Sequence, residues 1–460
     1  MKSSFSVFAC LALSCSAIAA ERFAPCRIEV VEKGSGWPVP LVELRTVHGQ
    51  KWVTDNAGVI ACDAPEVFGL ETWFYVTSPG YGVKPDGFKM RGVRLKPEAG
   101  GSLKVEVERE IIAKRIGRIT GAGIFGESQK LGDARDWVES GVFGCDSVQS
   151  VVYRDKLFWL WGDTLVARYP LGVFNSSGGF SSVRPVEKAE PPLKLKIDIL
   201  RDDQGVARGI SPMKGDGPTW MFGVIVLPDK AGQPRLVGNF CKVRGYLEAY
   251  QRGLCVWNDE KKIFDLVKVF WTKSAESPKP QPFPDGNGVL WRDAVGKEWA
   301  LFGNPFPNVR CPATFEAWQD PGTWEPIEAP ASVTAAKTGE KVKPHTGCIG
   351  FHPWRKRWVA VFSQSEGKPS PLGELWYAEA DAPTGPWGPA VKVLTHDNYT
   401  FYNPRLHIEW TTENSPVLLF EGTYTDQFLK KPTPTARYDY NQILYRLDLD
   451  DPALKPAQGK

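Results

Sequence analysis

Two aspartates flank a pair of apolar runs in the stretch 143–164, which reads FGCDSVQSVVYRDKLFWLWGDT. Asp146 stands before the run QSVVY, and Asp163 follows KLFWLW. The strands of a hairpin run in opposite directions, so the start of the first strand and the end of the second meet at one edge of the sheet. This spacing predicts that the two carboxylates lie close together. Two carboxyl groups in unlike surroundings can serve as proton donor and as base or nucleophile in the cleavage of a glycosidic bond.

Short β-like runs with almost no helical periodicity fill the chain from about residue 115 onward. They form five groups of three or four strands, and the first strands of successive groups are separated by roughly 55 to 70 residues. Four-stranded sheets repeated around an axis are the blades of a β-propeller. The sequence therefore predicts an all-β chain in which residues 115–455 form a five-bladed β-propeller that carries the catalytic site.

A propeller brings polar side chains from every blade to one mouth of its central channel. The residues at the start of a first strand or beyond a second strand are Asp146, Asp163, Asp216, Arg244, Glu248, Asp285, Asn287, Asn304, Arg310, His345, Glu366, Asn403 and Glu421.

Other side chains near the predicted mouth are candidates for binding a substrate. They are Arg310, His345, Asn403, Arg405, Glu421 and Trp161, with Trp220 as a further aromatic residue in reach. Arg310 suits bidentate contact with a carboxylate or sulfate of the substrate, and a structural ion pair with an aspartate at the same mouth is the alternative. Each acidic candidate also has a simpler interpretation: Asp146 and Asp163 as turn residues, and Glu248 as a solvated loop residue.

Residues 21–114 carry a different pattern, which consists of short alternating runs such as CRIEVVEK, PLVELRTV and SLKVEVER. Each run is bounded by Gly, Pro, Asn or Asp, as is typical of an antiparallel β-sandwich. The full prediction is therefore an N-terminal β-sandwich followed by the five-bladed propeller.

The first twenty residues, MKSSFSVFACLALSCSAIAA, have a lysine, an apolar core and a small-residue A-x-A site, which is the pattern of a cleaved signal peptide. We therefore expect an exported protein, periplasmic or secreted. Its environment is oxidising, so disulfides are permitted. The candidate local disulfide pairs are Cys26 with Cys62 and Cys241 with Cys255, and Cys311 with Cys348 is a further candidate pair.

The composition limits the partners of the protein. A formal net charge of +3, from 56 basic and 53 acidic residues, gives no electrostatic reason to bind nucleic acid. No later segment is long and apolar enough for a membrane helix. The 18 tryptophans suit both a β core and stacking against sugar rings. We expect a monomer with a carbohydrate substrate.

Three segments of the second region resemble the clan of five-bladed propeller glycoside hydrolases that includes the arabinanase-like enzymes. They are GCDSVQS with WGDT at 144–164, LWYAEADAPTGPWG at 375–388, and YNPRLH with LLFEGTYT at 402–425. The resemblance implies that Asp146 is the base and that the proton donor is a glutamate of a later blade. Glu248 is our first candidate for this donor because it follows a second strand at the same mouth, and Glu421 is the second. Asp163 would then hold a substrate hydroxyl or adjust the pKa of the donor.

The resemblance also implies that the chemistry requires no cofactor, and that His345 is a candidate for a channel Ca²⁺ site held through water. A hydrogen-bonded polar residue is the alternative for His345.

The stretch GWPVPLVELRT…VTDNAGVIAC…VTSPGY of the first region resembles the transthyretin-like module of carboxypeptidase regulatory domains. Such modules carry no chemistry of their own, so the resemblance leaves the catalytic role to the propeller.

Two other functions fit the sequence. A carbohydrate-binding propeller without turnover needs no proton donor. A polysaccharide lyase acting on a uronate would use a Tyr/His or Arg constellation, for which Tyr246, His345 and Arg310 are available. The nature of the products separates these functions from hydrolysis.

Overall fold

The computed structural model describes residues 24–184, 189–397, 399–429, 437 and 439–458. The predicted signal peptide at 1–20 lies outside the described residues. The chain divides into two compact units. The first comprises the residues up to 110 with 123–139 and 190–193, and the second comprises 111–122, 140–189 and the residues from 194 onward.

The first unit is a β-sandwich of two four-stranded sheets, with strand orders β4-β1-β8-β6 and β3-β2-β5-β7. Its strands are β1 (Cys26–Glu32), β2 (Glu43–Thr46), β3 (Lys51–Val53), β4 (Val59–Cys62), β5 (Thr72–Thr77), β6 (Tyr81–Gly82), β7 (Gly92–Leu95) and β8 (Ser102–Arg109). The unit also holds a 3₁₀ segment, Pro65–Val67, and a short helix α1, Gly126–Lys130. Alternate residues of β1 are buried, as the period-two pattern predicts.

One pairing in this unit differs from the antiparallel prediction. β1 and β8 are parallel neighbours, whereas β1 and β4 are antiparallel. The two parallel strands stand at opposite ends of the unit's sequence, and parallel neighbours need such a long connection. The transthyretin-like resemblance of this unit stays a prediction.

The second unit is built from many short strands. They are β9 (Lys114–Arg118), β10 (Gly144–Cys145), β11 (Gln149–Tyr153), β12 (Lys156–Trp161), β13 (Thr164–Val166), β14 (Tyr169–Val173), β15 (Ser177–Ser182), β16 (Asp198–Ile199), β17 (Thr219–Pro228), β18 (Pro234–Arg244), β19 (Glu248–Asn258), β20 (Ile263–Thr272), β21 (Asn287–Arg292), β22 (Glu298–Gly303), β23 (Pro307–Pro312), β24 (Glu325–Pro326), β25 (Val333–Thr334), β26 (Lys341–Val342), β27 (Pro344–His352), β28 (Arg357–Gln364), β29 (Leu375–Ala380), β30 (Val391–Leu394), β31 (Thr400–Leu406), β32 (Val417–Thr425) and β33 (Asn441–Asp448). The short helical segments are α2 (Phe315–Trp318), Pro321–Thr323, Ile408–Trp410 and Pro452–Ala457.

Five four-stranded sheets make up the blades of this unit. Their strand orders are β11-β12-β15-β16, β17-β18-β19-β20, β21-β22-β23-β24, β27-β28-β29-β30 and β31-β32-β33-β9. The innermost strands β11, β17, β21, β27 and β31 contact one another in that order. The ring closes between the fifth and first blades, where the Arg405 side chain of β31 donates to the Ser150 carbonyl of β11 at 2.5 Å. The predicted five-bladed propeller is confirmed.

The outer strand of the fifth blade comes from the start of the unit. β9 pairs antiparallel with β33, so that Arg115 lies opposite Tyr445. The sequence pattern gave this blade three strands, and the fourth was missed because its partner lies at the other end of the unit. By pairing with β33, strand β9 covers a sheet edge that would otherwise be unpaired.

Aromatic side chains fill the space between blades. Phe158 of the first blade packs against Trp257 and Phe264 of the second, with ring centroids 5.4 and 5.8 Å away. These rings are buried, so most of their area contributes to the hydrophobic core.

Candidate active site

Asp146 lies between β10 and β11, where the first blade enters the mouth of the channel. The Tyr402 hydroxyl donates to Asp146 Oδ2 at 2.9 Å, and the side chains of Tyr440 and Ser147 also hydrogen-bond to this carboxylate. Burial raises the pKa of Asp146, and the hydrogen bonds oppose that rise because they favour the charged form. Asp146 is thus a carboxylate surrounded by hydroxyl donors.

Asp163 follows β12 on the same edge of the blade. Burial, and then the negative charge of Asp146, raise the pKa of Asp163 to about 7. Trp220 Nε1 donates to Asp163 Oδ1 at 2.9 Å, and this bond lowers the pKa in part because it favours the charged form. The two aspartates of the hairpin do meet, as the sequence predicts, and their surroundings differ.

Backbone contacts hold the two aspartates in register. The Asp146 amide donates to the Asp163 carbonyl at 3.2 Å, and the Gly162 amide donates to the Asp146 carbonyl at 2.8 Å. A Cβ atom at Gly162 would lie 2.2 Å from Asp146 Oδ1, so only glycine leaves room for the carboxylate. The tight approach explains why glycine precedes Asp163.

The tyrosines at Asp146 were not among the predicted site residues. Tyr402 directly precedes the predicted Asn403, so the YNPRLH segment held a usable signal. Tyr440 comes from the chain just before β33, and no local pattern connects it with the first blade. Tyr402 and Tyr440 are both buried, so each supplies its hydroxyl from a fixed position.

Asn403 is one of the predicted residues that the structure brings to this site. Its Nδ2 donates to Ser147 Oγ at 2.7 Å, which links the fifth blade to the residue beside Asp146. Both Asn403 and Ser147 have positive φ angles, of 49° and 55°. These residues therefore shape the backbone next to Asp146.

Glu248, the predicted proton donor, stands at the start of β19 on the protein surface. Its described contacts are with Lys273 and with Arg244, whose Nε lies 3.9 Å from Glu248 Oε2. The hydrogen bond from Lys273 and its charge lower the pKa of Glu248, opposite to the shift that a proton donor needs. The donor role of Glu248 stays a prediction.

The position predicted for Glu421, at the end of a second strand, is wrong. β32 runs on to Thr425, so Glu421 lies in mid-strand opposite Arg405. Its side chain is fully buried, and its Oε1 lies 2.8 Å from His407 Nε2. His407 Nδ1 in turn lies 2.8 Å from Glu409. His407 and Glu421 are thus a fully buried pair, and Glu409 extends it to a triad within the fifth blade.

Arg405 crosses the channel and does not project from its mouth. Its guanidinium contacts Ser150 of the first blade, Asn287 of the third at 3.5 Å and the Cys348 sulfur of the fourth at 3.3 Å. A side chain that joins four blades holds the ring together.

Two predicted binding residues have structural partners. Arg310 donates to Glu325 at 2.8 Å and lies over the Trp299 ring. The described ion pair of Arg310 is thus with this glutamate and not with an aspartate of the mouth. Trp161 is only 1% exposed and stacks on Trp159, which leaves little of it for a ligand.

The remaining predicted residues lie around the ring. His345 is an exposed residue of β27, and Glu366 is exposed beyond β28. Asn287 Nδ2 donates to the Gly347 carbonyl, and the Gly347 amide donates to Asn304 Oδ1, each at 2.7 Å.

Asp216 and Tyr246 lie on the second blade. The Asp216 carbonyl accepts from the Tyr250 hydroxyl at 2.9 Å. Tyr246, named for a lyase, is fully exposed, and the structure describes no contact between it and Arg310 or His345.

The described part of the chain contains no group of three or more His, Cys, Asp or Glu side chains that could hold a metal ion. Within the same residues, no helix is long and apolar enough to cross a membrane. The seven cysteines from Cys26 onward are all free and buried.

No family model matches the chain, and no curated protein matches it. Several solved structures are similar at low identity. A proposed hydrolase from Bacteroides ovatus is 12% identical, with a TM-score of 0.44 over 70% of this chain and 89% of that one. An exo-1,5-α-L-arabinanase from a bovine ruminal metagenomic library is 9% identical, with a TM-score of 0.38 over 67% and 94%. An exo-β-1,3-galactanase from Clostridium thermocellum is 10% identical, with a TM-score of 0.38 over 66% and 59%. The fold assignment therefore depends on the strand pairing described above.

Proposed function

We propose that this protein is an exported glycoside hydrolase whose catalytic groups are Asp146 and Asp163. The observation that carries the proposal is the meeting of two carboxyl groups at the propeller mouth in unlike surroundings. A proton donor and an ionised partner are the two groups that this cleavage needs.

The hydrogen bonds assign the roles. Asp146 accepts from three hydroxyl-bearing side chains, which stabilise its charged form. Asp163 accepts one side-chain bond, from Trp220, and faces the charge of Asp146. With a pKa of about 7, Asp163 is protonated in an appreciable fraction of molecules near neutral pH. Asp163 is therefore the donor, and Asp146 is the base or the nucleophile.

The substrate in this proposal is a polysaccharide or oligosaccharide. The names of the similar structures, which include an arabinanase and a galactanase, supply probes for a first assay. The reaction requires a sugar, water and the two carboxyl groups, so the proposal includes no cofactor.

The test is incubation of the full chain with arabinan, β-1,3-galactan and polygalacturonan, followed by measurement of new reducing ends and of ultraviolet absorbance. Reducing ends without absorbance support hydrolysis, and an unsaturated uronate indicates a lyase. Binding without any product indicates the non-catalytic alternative.

Three variants test the catalytic pair. We expect Asp146→Asn and Asp163→Asn each to lower kcat by about 10²- to 10⁴-fold, the usual contribution of general acid–base catalysis. Asp259→Asn is the matched control, because Asp259 accepts from the Tyr153 hydroxyl at 2.8 Å beyond the opposite end of the same hairpin. Wild-type activity in all three variants would remove the pair from the mechanism.

Export is a separate part of the proposal. It is supported by the leader pattern at 1–20, and cleavage after Ala20 is its expected consequence. Intact-mass measurement of the protein recovered from the periplasm or medium tests it. A chain that keeps residues 1–20 and stays in the cytoplasm would contradict export. The catalytic proposal would not be affected by that result.

A further inference from the structure

A cavity of about 580 Å³ is lined by residues of the second and third blades and by the start of the fourth. Its lining includes Phe222, Arg252, Asp285, Asn304 and Lys343. None of these residues takes part in the catalytic pair. The cavity combines ring and proline surfaces with charged groups, as small-molecule binding sites do.

One strand connects this cavity with the catalytic aspartates. Trp220 and Phe222 are half-buried on β17 with buried Met221 between them, so both rings project from the same face. Trp220 donates to Asp163, and Phe222 lines the cavity. Two residues along a strand span about 7 Å, so the cavity begins next to the proposed proton donor.

Arg252 projects from the same face of the second blade. In the sheet register Trp220 lies opposite Cys241, and Cys241 lies opposite Arg252. Residues directly opposite each other in neighbouring strands share a face. Trp220, which hydrogen-bonds to the proposed donor Asp163, and Arg252 therefore lie on the same face of the second blade.

Arg252 and Asp285 form an incompletely bonded pair. Arg252 Nη1 lies 4.0 Å from Asp285 Oδ2, which is beyond hydrogen-bond distance. Neither Arg252 Nη1 nor Asp285 Oδ1 has a hydrogen-bond partner among the described residues. Buried polar groups are nearly always bonded, so the pair has unused capacity for a donor and an acceptor.

The pair is also held in place before any ligand arrives. The Arg252 guanidinium lies 5.6 Å from the Phe222 ring centroid and 5.3 Å from that of Phe283. The carbonyls on either side of Asp285 are fixed as well. Asn239 Nδ2 donates to Pro284 at 2.7 Å, and Gln149 Nε2 donates to Gly286 at 3.0 Å.

We propose that Arg252 and Asp285 form a subsite that binds two neighbouring hydroxyl groups of a neutral sugar unit next to the cleaved bond. The inference rests on the proposed hydrolase function and names its substrate class. The Asp285 carboxylate accepts from the hydroxyls, and the Arg252 guanidinium donates to their oxygens. An acidic sugar is disfavoured because its carboxylate would face that of Asp285.

The test is affinity electrophoresis of the full chain through gels that contain arabinan, β-1,3-galactan or polygalacturonan, with Asp146→Asn run in parallel so that the probe is not cut. We expect retardation by a neutral polysaccharide. Arg252→Gln and Asp285→Asn should each weaken it about tenfold or more, the loss expected for hydrogen bonds to charged groups.

The chain offers matched controls. Arg244 has a similar setting, because it lies 4.9 Å from the Tyr250 ring centroid and 3.9 Å from the Glu248 carboxylate. It does not line the cavity, so Arg244→Gln should leave retardation unchanged. Arg252→Lys keeps the positive charge and loses the planar guanidinium with its fixed set of N–H donors. This variant shows whether the guanidinium geometry matters. Unfolding curves confirm that each variant is folded.

The outcomes separate this inference from the hydrolase proposal. Retardation that depends on Arg252 and Asp285 supports the subsite, even where wild type makes no reducing ends and the hydrolase proposal fails. Three results overturn the subsite: retardation by polygalacturonan alone, retardation that neither substitution changes, and no retardation by any of the polysaccharides. Cleavage that needs Asp163 would still stand in those cases.

Discussion

Trp220 is the side-chain hydrogen-bond donor to Asp163, and its bond opposes the rise in pKa that burial and the Asp146 charge cause. Trp220 Nε1 donates to Asp163 Oδ1 at 2.9 Å and favours the charged form of that carboxyl. Trp220→Phe keeps an aromatic ring at the position and removes the donor. We expect the pKa of Asp163 to rise further above its value of about 7.

The size of this shift follows from one hydrogen bond. A bond to a charged group contributes about 1.5–3 kcal/mol, and the lower end suits Asp163 because it is partly exposed. About 1.4 kcal/mol corresponds to one pH unit, so the pKa should move from about 7 to about 8. At pH 8 the protonated fraction then rises from about one tenth to about one half.

The assay is kcat/KM as a function of pH on the best polysaccharide of the panel, since this ratio reports the pKa values of the free enzyme. The donor must be protonated, so activity falls on the alkaline side. The midpoint of that fall should lie near pH 7 in wild type and near pH 8 in Trp220→Phe.

Trp299→Phe is the control, because Trp299 Nε1 donates to Asp293 Oδ2 at the same 2.9 Å, and Asp293 has no part in the proposed site. Its alkaline midpoint should match that of wild type. A midpoint in Trp220→Phe that stays in place or moves to lower pH would refute Asp163 as the proton donor.

Three further predictions concern other parts of the molecule. Glu248→Gln should change kcat/KM by less than about twofold, because exposed ion pairs contribute little; a loss as large as that of Asp163→Asn would restore Glu248 as the donor. His407→Ala should lower the free energy of unfolding by about 3–5 kcal/mol in a urea titration, because it leaves buried Glu421 unpaired; an unchanged midpoint would contradict a stabilising triad. Cys26 and Cys62 are free thiols in the structure, but they are direct cross-strand partners, and cross-strand partners have a Cα spacing of about 4.5–5.5 Å that a disulfide can bridge. Protein from an oxidising compartment should therefore show two more thiols in denaturant after reduction than before it, and Cys26→Ser should abolish the difference.

The sequence predicts those parts of the site that depend on local geometry. Asp146 and Asp163 flank one hairpin, so strand alternation alone brings them together. The five blades are likewise visible because each one is nearly contiguous in the chain. β9 is the exception, since its partner β33 lies at the far end of the unit.

The errors arise where distant residues or strand lengths decide the outcome. Glu248 is adjacent to nothing in sequence that predicts its bond to Lys273, which only the pairing of the second blade's strands creates. Glu421 was misplaced because β32 continues beyond it to Thr425. Tyr440 reaches Asp146 across the closure of the ring, a contact that no spacing rule predicts.

The origin of β9 also constrains how the chain can mature. During synthesis this strand emerges before every other strand of the propeller, and its partner β33 emerges last. Such a distant pairing carries a large loop-closure cost and slows folding. The Lys114 ammonium, 2.7 Å from Asp448, can bond only once the final strand is present. A ribosome-bound or C-terminally truncated chain therefore exposes an open strand edge, which makes it a target for chaperones and for aggregation.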